Sequence, residues 1–71
     1  MQDKDKAIIY LNSNKLFWGR NSDNNLFVHT EGYITAKHQE IESQMNLFNY
    51  VMISEEFDQT SGKTTAIYKH A

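Results

Sequence analysis

The sequence has no cysteine, no proline and a single arginine, Arg20. Without cysteine the chain forms no disulfide and offers no thiolate for a zinc site. Arginine forks are the usual tool for gripping phosphate, and one arginine does not make a basic footprint. Lysine and arginine together number 7 against 9 acidic residues, for a net charge of −2, which is also too mild for an acidic mimic of a nucleic-acid duplex. Long apolar runs are missing as well. Nothing approaches the roughly 18–20 residues of a membrane-spanning helix, and Met1-Gln2-Asp3-Lys4-Asp5-Lys6 is polar, with no hydrophobic segment of a secretory signal behind it. These absences predict a cytoplasmic protein with no membrane partner.

With 71 residues the chain makes one domain. A core of that size rarely supplies more than about 3–5 kcal/mol, which leaves good packing or oligomerisation to do the rest. The expected division is a flexible N-terminus over 1–5 and a single α+β domain over 6–71. Lysine outnumbers arginine, and asparagine recurs at 12, 14, 21, 24, 25, 46 and 49. We read this usage as that of an AT-rich genome, and a short free-standing chain of that kind as phage or mobile-element encoded.

What is present is a succession of short apolar segments. Ala7-Ile8-Ile9-Tyr10-Leu11 reads as a strand. Asn12-Ser13-Asn14 reads as a turn and Leu16-Phe17-Trp18 as the returning strand of a hairpin. Asn21 to Asn25 is the clearest loop, and Leu26-Phe27-Val28-His29 a third strand. After Gly32 the period changes. Ile34, Ile41, Met45, Phe48 and Met52 fall on one helical stripe, with Thr35 as N-cap, which predicts a helix over 36–47. A strand then starts at Tyr50. Asp58 to Lys63 is a hairpin loop with Gly62 in the left-handed position, and Thr64 to Tyr68 is the last strand. The predicted fold is α+β: a small antiparallel sheet with one helix, in the order β-β-β-α-β-β.

A sheet covered by one helix should be polar on its other side. Here both parities are apolar: Phe17 opposes Leu16 and Trp18, Phe27 opposes Leu26 and Val28, and Val51 and Ile53 oppose Tyr50 and Met52. An exposed apolar patch beyond a few hundred Å² usually marks a binding surface. Aromatic residues dominate interface cores, so Phe17, Trp18, Tyr50 and Tyr68 are the expected partner contacts. Core packing is the competing role for Trp18, and a sheet curled into a partial barrel is the competing account of both apolar faces.

No catalytic constellation is evident. Thr60-Ser61-Gly62-Lys63-Thr64-Thr65 resembles the end of a phosphate-binding P-loop, but that pattern needs a glycine where Phe57 stands and a helix where a strand follows. His38 and Glu42 are four apart on the helix, without a third ligand at a usual metal spacing; a solvated pair is the simpler reading. Glu55 and Glu56 are adjacent on a strand and point to opposite faces, so they are no acid/base pair. The serines have no histidine at meaningful spacing. We therefore expect no enzyme, no cofactor and no metal.

Two function classes follow. The first is a small protein-binding regulator or inhibitor, acting through an apolar and aromatic sheet face on another protein, on a second copy of itself, or both. The second comes from a resemblance. The helix at 36–47 followed by the hairpin at 50–69 resembles the recognition helix and wing of winged-helix domains. That implies a nucleic-acid-binding transcriptional regulator. The resemblance covers the C-terminal half only, and it sets Glu40 and Glu42 on the helix that would face phosphates.

Overall fold

The first apolar run is a helix, not a strand. In a computed structural model of the chain, described over residues 2–32 and 36–71, α1 spans Asp3–Ser13. It is followed by β1 (Phe17–Arg20), β2 (Leu26–Glu31), α2 (Ala36–Leu47), β3 (Tyr50–Asp58) and β4 (Lys63–His70). The molecule is thus α+β with two helices and a four-stranded antiparallel sheet, in the order α-β-β-α-β-β, which corrects the one-helix order expected from sequence. The reason lies in residues 7–11. In a helix Ala7 and Leu11, four apart, share a face, and both are fully buried, while Ile9 between them is 49% exposed. A strand would have put all three on one side. An unbroken apolar run fits either element until something decides which side is covered. Asp3 and Asp5 in the first turn also suit the positive end of the helix dipole. Residues 3–5, expected as a free tail, form that turn.

The residues expected as a turn between strands end α1 instead. Lys15 N–H donates to the Asn12 carbonyl and Leu16 N–H to the Leu11 carbonyl, with Lys15 left-handed at φ 55°. This is a Schellman ending with lysine where glycine is usual. A side chain in that region costs roughly 1 kcal/mol relative to glycine. Lys15→Gly should therefore raise the thermal midpoint by about 3–8 °C in dilute solution; an unchanged or lower midpoint would show that the lysine side chain compensates for its backbone.

The sheet order is β1-β2-β4-β3. Its inner face carries Trp18, Leu26, Val28, Thr64, Ala66, Tyr68, Tyr50 and Met52, and both helices pack on it. Ala7 and Leu11 of α1 join Ile41 and Met45 of α2 in one core. Contacts at both ends set α1 across the sheet. At one end Asp3 accepts a 2.7 Å hydrogen bond from the Asn49 side chain and lies 3.7 Å from His70. At the other, Trp18 Nε1 donates to Asn12 Oδ1 at 2.8 Å. Tyr10 of α1 meets Phe48, the residue just after α2, with ring centroids 6.0 Å apart. The helix expected at 36–47 is present, and Ile41 and Met45 of its stripe are core. Ile34 and the cap at Thr35 lie outside the described residues. Gly62 turns the last hairpin with φ 71°, as its position predicted.

Candidate functional site

Residues directly opposite in an antiparallel pair share a face, so the register lays out the outer side of the sheet as rows. One row is Glu31, Lys63 and Asp58; the next is Phe17, His29, Thr65 and Glu56. A third is Gly19, Phe27, Ile67 and Ser54, and a fourth holds Lys69 and Val51. No described helix covers these rows. Phe17 is 68% exposed, Val51 52%, and Ile53, the extra residue of a bulge between Met52 and Ser54, 53%. The apolar centre of the face is Phe27 beside Ile67, with polar and charged residues around it.

The aromatic side of this face is ordered by a glycine. Phe27 lies over Gly19: a Cβ at that position would fall 2.5 Å from the Phe27 ring. The bare backbone of β1 thus receives the ring of its neighbour, a device that covers a glycine in a sheet. The His29 ring meets two phenylalanines, tilted against Phe17 with centroids 5.4 Å apart and edge-on to Phe27 at 5.0 Å. A 2.7 Å hydrogen bond between His29 Nδ1 and Thr65 Oγ1 holds the imidazole among these rings. At the Glu31 end an open groove of about 770 Å³ runs over Lys15, Phe17, His29, Glu31, Asp58 and Lys63.

The four expected contact residues do not share a surface. Phe17 stands on the open face. Trp18, its neighbour in β1, points the other way and packs on the core with its indole bonded to Asn12. Tyr50 and Tyr68 are core residues, 2% and 1% exposed. Phe27, Ile67 and Val51 take the outer positions instead. The alternation in each strand divided these residues into two sets; which set is covered depends on the strand order and on the side that receives α1.

The remaining sequence candidates are dispersed. His38 is buried, with a hydrogen bond between its ring and Thr30 Oγ1. His29 lies on the opposite face of the sheet, and His70 beside Asp3 and Tyr50. Among the described residues no three His, Cys, Asp or Glu side chains are grouped to hold a metal ion. Glu55 falls on the inner side beside Ala66 and Glu56 on the outer side beside Thr65, as adjacent strand positions require. Gly62 and Lys63 lead into β4, so their amides belong to a hairpin and not to a helix N-terminus. That hairpin is no free wing, because β4 also pairs with β2 along its length. The Asn49 amide draws the Asp3 carboxyl below its ordinary range, with burial acting against it and His70 adding a smaller pull.

No described helix is long and apolar enough to cross a membrane. The chain matches no protein-family model, no curated protein and no solved structure. The class is therefore architectural: among the described residues, two helices lie on one side of a four-stranded antiparallel sheet and none on the other.

Proposed function

We propose that this chain is a small non-enzymatic regulator or inhibitor that works by binding protein through the open sheet face. The observation that supports this is the placement of Phe17, Phe27, Ile67 and Val51 on the side opposite both helices. A sheet that needs only one covered face normally alternates to polar residues on the other. Single exposed apolar side chains are ordinary, and Ile9 and Leu47 are of that kind; exposed Phe17 and Val51 beside half-buried Phe27 and Ile67 make an apolar patch across all four strands. The contact residues in this reading are Phe17, Phe27, Ile67 and Val51. Trp18, Tyr50 and Tyr68 support them from below.

The test uses Phe17→Ser combined with Val51→Ser, two exposed positions whose replacement should leave the melting curve within a few degrees of the parent. Immobilised parent chain should retain a polypeptide in about 0.5 M salt, and the double variant should lose it. Apolar contacts are little weakened by salt, whereas phosphate contacts lose affinity steeply. Retention by both chains alike overturns the assignment of the face. Retention of nucleic acid that vanishes with salt supports the winged-helix-like alternative instead.

A further inference from the structure

We propose that the free edge of β1 pairs with β1 of a second copy of this chain, antiparallel about a two-fold axis at Gly19, so that the two sheets continue as one. The inference concerns the edge of the sheet and is independent of the reading of its open face.

β1 ends the sheet, with β2 as its one strand neighbour. Asn21 N–H donates to the Asn25 carbonyl, which makes those two residues a hydrogen-bonded pair. Along an antiparallel ladder such pairs alternate with unbonded ones. The backbone groups of Phe17 and Gly19 are therefore turned towards His29 and Phe27 of β2, and those of Trp18 and Arg20 are turned out of the sheet. Among the described residues, no loop, cap or side-chain hydrogen bond reaches these outward groups.

The triplet Trp18-Gly19-Arg20 is its own complement. An axis between two Gly19 residues sets Trp18 opposite Arg20 of the second copy, and Arg20 opposite its Trp18. These are the chain's only tryptophan and only arginine. Two such pairs exchange about four backbone hydrogen bonds. Both side chains lie on the inner side of the sheet, in the rows of Val28 and Leu26. Arg20 is exposed, with Nη1 a long 3.5 Å from the Asn24 carbonyl and its guanidinium leaning towards the Tyr50 hydroxyl. Its outer flank receives the indole of the second copy in a cation–π contact. Gly19 meets Gly19 as an unbonded pair, with Cα atoms about 4.5 Å apart. No side chain obstructs that approach. Because the Phe27 ring already lies over Gly19, the two Phe27 rings come side by side over the junction.

The other edge is guarded. β3 carries Glu55, Glu56 and Asp58 and the bulge at Ile53, and charge and bulges are the usual protection of an edge. β1 has no bulge, no proline and no carboxylate. Its protection is its length of four residues, which keeps the contact below the standard interface size and the dimer weak. A foreign strand would have to supply an aromatic residue and a cation in reverse order; a second copy carries both in place.

The first test is sedimentation of the full chain from about 10 µM to about 1 mM, the range of a weak interface, beside Arg20→Pro. Proline at position 20 removes an outward N–H and the cation and takes no hydrogen bond from β2, as proline on an edge strand allows. Its melting curve should stay within a few degrees of the parent. The parent should pass from monomer to dimer, and Arg20→Pro should associate at least tenfold more weakly. The second test reads the register by disulfides, since the parent has no cysteine. Both variants carry Phe27→Ala, which makes room over β1. Gly19→Cys lies at the axis and should cross-link under mild oxidation. Phe17→Cys lies about 13 Å along the ladder from its counterpart, beyond the roughly 7 Å Cα limit of a disulfide, and should not. A parent that stays monomeric overturns the proposal, as does an Arg20→Pro chain that associates like the parent. Cross-linking at position 17 as fast as at 19 also overturns it. If the parent is monomeric and captures a polypeptide that Arg20→Pro releases, the edge takes a foreign strand and the second copy is overturned.

Discussion

Tyr68→Ala is expected to leave the chain largely unfolded at 25 °C. Tyr68 is 1% exposed and lies in β4 between Leu26 of β2 and Met52 of β3, beneath both helices. Removing a buried aromatic ring costs roughly 3–5 kcal/mol through lost burial and the cavity left behind. That equals the whole net stability expected of a domain this small. Burial, with smaller contributions from Glu42 and Glu55, pushes the Tyr68 hydroxyl well above its ordinary value of 10.0. Because the folded value is raised, its contribution is intact below about pH 10 and is lost as the pH rises through the folded value. Tyr68→Phe keeps the ring, so it should fold and show a shallower alkaline loss of stability. Circular dichroism with urea titration measures both. A Tyr68→Ala chain that remains folded with a loss under about 1 kcal/mol would place the ring outside the core.

The second large effect separates helix from strand at the N-terminal run. Leu11→Ala should cost about 2–5 kcal/mol, as for a fully buried leucine, and Ile9→Ala under about 0.5 kcal/mol, as for a surface site. Leu11 is fully buried against the sheet and Ile9 is 49% exposed. Two residues apart, they would lie on the same face of a strand and suffer alike. Comparable losses at the two positions, read from urea midpoints, would contradict α1.

The same pair shows where sequence reading stopped. Alternation in Leu26-Phe27-Val28-His29 and the helical stripe through Ile41 and Met45 were legible because each carries its own period. The hairpin at Gly62 was legible because few other residues tolerate its backbone conformation. Ala7 to Leu11 has no polar interruption and so no period, and only the sheet waiting beneath it makes it a helix. Trp18, Tyr50 and Tyr68 looked like contacts on the same ground. Aromatic character says that a residue needs an apolar neighbour, and does not say whether that neighbour belongs to its own chain.

By itself, then, the sequence determined an α+β domain whose strands are apolar on both sides, since that property resides in alternating side chains and survives any strand order. The tertiary structure alone decided which side is closed. Both helices settle on the face of Leu26, Val28, Ala66 and Tyr68, and Phe17, Phe27, Ile67 and Val51 are left outward because neighbouring strand residues must point opposite ways. The row of Glu31, Lys63 and Asp58 likewise exists only once the strand order has set β2, β4 and β3 side by side; no short window of the chain contains it.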